Sequence, residues 1–191
     1  TNSKCKRATS LGNASTSASA NNQFSNGLRR ISSLPVLVIQ GTGGVGKTTL
    51  AQHNYTDQQV KSHFGLVIWI CVSDDFNVKR LIKEVIQSCP RKEATYDSGK
   101  DAPADNLNSL QLALSKHVNN QRVLIVLDDI WDDSLKENRQ CWNRFCAPLK
   151  SAQEGSMMLV TTRCPNVAQG VGTVKPIILV GLKDDVFWNF F

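Results

Sequence analysis

The chain has 191 residues, 41% of them apolar, and no apolar run near the ~18 residues of a membrane-spanning helix, so one sizeable domain without a membrane span is expected. A net charge of +6 points to nucleic acid only until it is located: Lys4, Lys6, Arg7, Arg29 and Arg30 precede Val36 with no acid among them, leaving 17 basic against 16 acidic residues. The body is nearly neutral, and the surplus is read as a solvated tail, with no nucleic-acid partner expected.

The chain opens on Thr1-Asn2-Ser3-Lys4, with neither an initiator methionine nor a basic-then-apolar leader; a fragment without a secretory address is expected. Residues 1–33 form a basic tail dominated by Ser, Asn and Ala. It is too poor in apolar side chains to offset its ordering entropy and is expected to be disordered. From Leu34 the pattern becomes rhythmic. Val36-Leu37-Val38-Ile39 opens a first strand over about 36–40. It feeds Gly41-Thr42-Gly43-Gly44-Val45-Gly46-Lys47-Thr48-Thr49, which fits G-x-x-x-x-G-K-[ST]. Glycines at that spacing let successive N–H groups face phosphate oxygens, and the following helix adds the positive end of its dipole. Lys47 is placed to reach the β- and γ-phosphates, and the Thr48 hydroxyl to ligate Mg²⁺.

A helix is predicted over about 46–61, then an apolar strand, Leu66 to Cys71, expected to be buried on both faces. Asn77 caps a helix carrying Val78, Leu81, Ile82, Val85, Ile86 and Cys89 at 3/4 spacing, stopped by Pro90. Residues 91–104 read as a polar loop. Asp105 is the expected cap of a helix with Leu107, Leu110, Leu114 and Val118 on one stripe. The third strand, Val123 to Leu127, runs into Asp128-Asp129. A helix over about 135–150, a fourth strand from Met157 to Thr161, a helical turn at 165–170 and a fifth strand from Pro176 to Val180 complete the series. Alternating strands and helices predict an α/β fold: a P-loop NTPase with a doubly wound, parallel, five-stranded sheet and helices on both faces.

Ligands of such sheets sit beyond the carboxyl ends of the strands, where the glycine loop and the Asp pair both fall. Alone, an Asp pair after a strand could equally be a helix cap. Downstream of this loop, one carboxylate is read as holding Mg²⁺ and the other as orienting or deprotonating a water. Arg163 ends the fourth strand in Thr161-Thr162-Arg163. It could neutralise a γ-phosphate or simply open a surface loop, and spacing does not choose. The six cysteines lack C-x-x-C spacing and are expected to be free, buried or half-buried thiols of a cytoplasmic protein.

Five stretches in order resemble one family. They are Gly41 to Gln52 (GTGGVGKTTLAQ), Phe64 to Phe76 (FGLVIWICVSDDF), Leu127 to Trp131 (LDDIW), Gly155 to Arg163 (GSMMLVTTR) and Leu179 to Phe191 (LVGLKDDVFWNFF). They are similar to the NB-ARC nucleotide-binding module of plant intracellular immune receptors with leucine-rich repeats, and in detail to its cereal-grass branch. The resemblance implies a nucleotide switch, closed with ADP and signalling with ATP, with at most slow Mg²⁺-dependent hydrolysis. It implies that Gly43, Gly44, Val45, Gly46 and Lys47 hold phosphates. Thr49 would serve the α-phosphate, Thr48 and Asp128 the Mg²⁺, Asp129 hydrolysis and Arg163 the γ-phosphate. It assigns 34–185 to the nucleotide-binding subdomain and 186–191 to the start of the next helical subdomain.

The sequence also departs from the pattern. The low-complexity tail stands where the family has an adenine-holding segment, and Thr42 occupies a place that is commonly Met. The downstream Gly-Leu-Pro-Leu and Met-His-Asp motifs, the remaining ARC subdomains and the leucine-rich repeats do not appear. The alternative expectation is therefore a truncated gene product with weak or no nucleotide binding that does not switch.

Overall fold

In the computed structural model, residues 34–72, 75–90, 106–131 and 139–181 are described. The tail over 1–33, the loop over 91–104 and the segment 186–191, with Phe187, Trp188, Phe190 and Phe191, lie outside them. Five strands are present: β1 (Val36–Gly41), β2 (Leu66–Cys71), β3 (Val123–Ile130), β4 (Met157–Thr162) and β5 (Ile177–Leu179). The helices are α1 (Lys47–Thr56), α2 (Gln58–His63), α3 (Val78–Ser88), α4 (Leu107–Val118), α5 (Arg139–Cys146) and α6 (Pro165–Val171), with a 3-10 turn at Pro148–Ser151. No helix among the described residues is long and apolar enough to cross a membrane.

Every strand pairing is parallel, in the order β2-β3-β4-β1-β5. Alternation along the strands divides the core. Val38 of β1, Ile68 of β2, Ile125 and Leu127 of β3 and Val160 of β4 face α3, α4, α5 and α6 through Leu81, Ile82, Leu114, Phe145 and Val167. Ile39, Leu124, Val126 and Leu159 face the other way, toward Ala51 of α1 and Phe64 after α2. Each fully buried Leu or Ile of these two layers contributes roughly 1.5–3 kcal/mol. The sheet is therefore doubly wound, as the alternation predicts. The crossover from β1 to β2 runs along one face, and the chain then reverses direction and returns over the other. Crossovers of a single hand require that change of face.

Several boundaries differ from expectation. The helix expected over 46–61 is two helices, because Asp57 takes an extended conformation (φ −62°, ψ 133°) and its carboxylate accepts the Gln59 and Val60 N–H groups, restarting the helix. The cap of α4 is Asn106, whose side chain accepts the Ser109 N–H at 2.7 Å, not Asp105. Both residues suit a cap, and sequence spacing does not resolve a shift of one position. Asn77 caps α3 as expected. β3 extends through the Asp pair to Ile130. The helix expected over 135–150 is described from Arg139 and gives way to the Pro148–Ser151 turn.

β2 lies at the sheet edge, so its residues alternate between buried and half-buried, and it ends in an exposed Cys71. The expectation of uniform burial fails there because Val67 and Trp69 lie on the α1 face, which is only partly covered at this edge, while Leu66, Ile68 and Ile70 are buried on the other. Cys89, Cys141, Cys146 and Cys164 are free thiols, buried or half-buried. Burial pushes the Cys146 thiol up to about 12, against a smaller lowering effect of Lys150.

Candidate functional site

β1 leaves the sheet toward one face and its neighbour β4 toward the other, so the carboxyl ends of these two strands open a crevice. The glycine loop fills the β1 side. Gly41 ends β1 where a Cβ would meet the Leu179 carbonyl oxygen at 2.6 Å, so only glycine lets β5 pair this closely. Gly44 and Gly46 adopt φ of 76° and 94°, the left-handed conformation that turns the chain into α1. Added Cβ atoms at both would meet nothing within 4 Å, so the glycines serve backbone conformation and leave an open cradle. Gly46 caps α1 with no side-chain hydrogen bond, and the first turn carries no acid. The free N–H groups of that turn and the positive end of the dipole fit an anion. Val45 is half-buried, and Thr49 lies exposed in the first turn.

Lys47 is buried, and its Nζ donates to the Thr42 carbonyl at 2.8 Å. The ammonium is thus folded back over the loop, with two further donors for phosphate oxygens. Thr48 Oγ1 donates to Asp128, at 3.0 Å to Oδ1 and 3.2 Å to Oδ2. The hydroxyl and the carboxylate expected to serve Mg²⁺ therefore meet across a separation of 80 positions. No group of three His, Cys, Asp or Glu that could hold a metal occurs among the described residues. One carboxylate and one hydroxyl suit Mg²⁺, which keeps waters and phosphate oxygens as its other ligands.

Asp128 and Asp129 point to different tasks. Asp128 is buried, with Oδ1 also accepting from the Thr161 hydroxyl. The strand register slips between Leu127 and Ile130, and Asp129 takes φ 58°. That bulge re-aims the second carboxylate, at a left-handed backbone that a non-glycine residue seldom occupies. Asp129 N–H donates to Thr161 Oγ1 at 2.9 Å. Its Oδ2 accepts the Trp131 indole N–H at 3.1 Å, and its Oδ1 lies 3.5 Å from Arg163 Nε. The Arg163 guanidinium carbon stands 4.8 Å from the centre of the Trp131 ring. A Cβ on Gly43 would lie 3.2 Å from Arg163 Nη1. Arg163 thus reaches from the end of β4 to the glycine loop and is not merely the start of a surface loop.

The crevice gathers Gly43, Gly44, Gly46, Lys47, Thr48, Asp128, Asp129 and Arg163. Thr49, exposed in the first turn of α1, also lines a shallow depression beside that helix with Gln52, His53, Tyr55, Thr56 and Trp69. Sequence reasoning missed three participants. In the sequence Thr161 is only the end of a strand; a hydroxyl directly after the apolar run Met157–Val160 is its one signal, and its complete burial appears only in the fold. Trp131 carries no signal beyond its place in LDDIW. The Thr42 carbonyl carries no side-chain signal at all.

Residues 18–191 match the NB-ARC domain family. Disease resistance protein RGA2 of Solanum bulbocastanum is 40% identical over 158 residues, covering 83% of this chain and 15% of that protein. Putative disease resistance RPP13-like protein 1 of Arabidopsis thaliana is 34% identical over 160 residues, covering 83% of this chain and 14% of that one. The chain therefore spans about 15% of the length of the relatives it matches. Among solved structures, Drosophila ORC bound to DNA gives a TM-score of 0.59 at 13% identity, over 86% of this chain and 44% of that one. At that identity the likeness is one of fold, that of a P-loop NTPase.

Proposed function

This chain belongs to the NB-ARC family, the nucleotide-binding module of plant disease resistance proteins, and from that premise we propose that it is an ADP/ATP switch with at most slow hydrolysis. The observation that carries the reading is the contact of Thr48 Oγ1 with Asp128 at the mouth of an open glycine cradle. A helix cap or a decorative turn has no use for that pair.

In this reading the N–H groups of Gly43 to Lys47 and the Lys47 ammonium bind the phosphates, and Thr49 serves the α-phosphate. Thr48 and Asp128 would hold Mg²⁺, which would supply positive charge against the phosphates. Asp129 accepts the proton of the attacking water at a carboxylate oxygen, and Arg163 places its fork on the γ-phosphate. Both oxygens of Asp129 already have partners, Trp131 and Arg163, which supports slow turnover. Residues 34–185 form the nucleotide-binding subdomain, 1–33 its tail, and 186–191 the start of the next helical subdomain. In a longer protein the partners are the remaining ARC subdomains and leucine-rich repeats, in the cytoplasm and without nucleic acid.

Titration calorimetry of the 191-residue chain with MgADP and MgATP tests this. Binding is expected, and Lys47→Ala is expected to weaken it by at least roughly tenfold through loss of a charge-assisted contact. A folded chain that binds neither nucleotide at millimolar concentration overturns the reading.

A further inference from the structure

Trp131 has two contacts that no phosphate-binding role requires. Its indole N–H holds Asp129 Oδ2 at 3.1 Å, and its ring face lies 4.8 Å from the Arg163 guanidinium carbon. Asp129 and Arg163 are themselves 3.5 Å apart, so the three side chains close a triangle. Each corner is partly open to solvent: Arg163 at 46%, Asp129 at 30% and Trp131 at 37%. An arginine that open, on a residue ending a strand, has many rotamers available. Here its Nε faces the carboxylate, its guanidinium carbon lies over the indole and Nη1 lies beside Gly43. Gly43 belongs to the part of the loop that precedes Lys47, so this is the end of the cradle where a terminal phosphate extends.

We propose that Trp131 is a positioning residue that makes the site discriminate a nucleoside triphosphate from a diphosphate. Its ring is the platform on which Arg163 is held ready for the third phosphate, and its N–H fixes the Asp129 carboxylate. The proposal rests on the nucleotide-site reading above. On this placement a diphosphate, one phosphate shorter, would leave Arg163 unengaged, so the platform is expected to act on triphosphate affinity alone. The two functions separate chemically, since the ring face serves Arg163 and the N–H serves Asp129.

The test is calorimetry of the full 191-residue chain with MgATP and MgADP, together with single-turnover ATP hydrolysis, for wild type, Trp131→Ala, Trp131→Phe, Arg163→Ala and the Trp131→Ala, Arg163→Ala double variant. Trp131→Ala is expected to weaken MgATP by roughly two- to fivefold, the scale of a cation–π contact at a partly exposed site, with MgADP unchanged. Trp131→Phe keeps a ring under Arg163 and restores MgATP affinity, while the hydrolysis rate still changes because Asp129 Oδ2 has lost its donor. In an Arg163→Ala background, Trp131→Ala should have no further effect on MgATP. Equal weakening of both nucleotides, or none of either, overturns the proposal while leaving the nucleotide site standing. A wild-type chain that binds neither nucleotide overturns both.

Discussion

The hydroxyl of Thr161 donates to Asp128, whose carboxylate also accepts a hydrogen bond from the Thr48 hydroxyl; the same Thr161 oxygen accepts the N–H of Asp129. One buried side chain on β4 therefore holds both members of the Asp pair on β3. Thr161→Val is expected to leave the Asp129 N–H unpaired and to remove a hydrogen bond to a buried charge. The cost should be roughly 2–3 kcal/mol in urea unfolding, with Thr161→Ser recovering most of it. MgADP affinity should fall in the valine variant and return in the serine variant.

Thr48 is exposed and contributes little to packing, so its removal should be read in metal dependence instead. Thr48→Ala is expected to weaken MgADP binding by roughly tenfold, the scale at which partners of a metal site act. Binding measured in EDTA should be unchanged. Equal loss with and without Mg²⁺ would assign Thr48 to the phosphates and not to the metal.

Gly41 and Gly46 should respond to alanine for different reasons. At Gly41 a Cβ meets the Leu179 carbonyl oxygen at 2.6 Å, so the backbone of β5 must shift. Gly41→Ala is expected to cost roughly 1–3 kcal/mol and to speed amide exchange across Ile177–Leu179. At Gly46 space is open but φ is 94°, so Gly46→Ala carries a left-handed strain of roughly 1–2 kcal/mol. Its exchange effects should be confined to the loop and the first turn of α1.

The Cys146 thiol, held neutral by burial and pushed up to about 12, makes stability depend on alkaline pH, and burial raises Cys89 in the same direction. In the unfolded chain Cys146 ionises near its ordinary value of 9.0, while the folded chain keeps the proton. The unfolded state therefore binds fewer protons between those values, and stability must fall as pH rises through that window. It should be level below pH 9 as far as this group is concerned. Cys146→Ala should flatten the alkaline decline in thermal melts taken from pH 8 to 11. Exposed Cys71 should be alkylated in the native state well before Cys146.

The fold was legible because its signals are repetitive. Each of Val36–Ile39, Leu66–Ile70, Val123–Leu127 and Met157–Val160 is an apolar run of strand length, and the segments between them have helical spacing. The phosphate loop was legible because its glycines, Lys47 and Thr48 are adjacent in sequence. The resemblance to the NB-ARC family was legible too, and the family match over residues 18–191 bears it out.

The remainder was hidden for physical reasons. Asp57 breaks α1 from α2 through two hydrogen bonds to its own side chain, an alternative that helical periodicity does not weigh. The bulge at Asp129 appears only when β3 is laid against β4. The alliance of Trp131 with Arg163 joins two strand ends that are neighbours only once the sheet has formed. Arg163 itself was undecided from spacing, and its place beside Gly43 favours the phosphate role without any change in what the sequence says.

The sheet order also sets a timetable. β1 has only β4 and β5 as hydrogen-bonded neighbours, and the Val36 N–H finds its side-chain partner, Thr173, 137 positions later. A ribosome releases the glycine loop before anything exists to hold it, and at ordinary synthesis rates the wait is on the order of ten seconds. Through that interval the motif is nascent chain, with neither a β-strand behind it nor Asp128 beside Thr48. Nucleotide binding is therefore expected to follow the pairing of β1 with β4 and β5. It would select, afterwards, the molecules in which the last strands have already closed around the first.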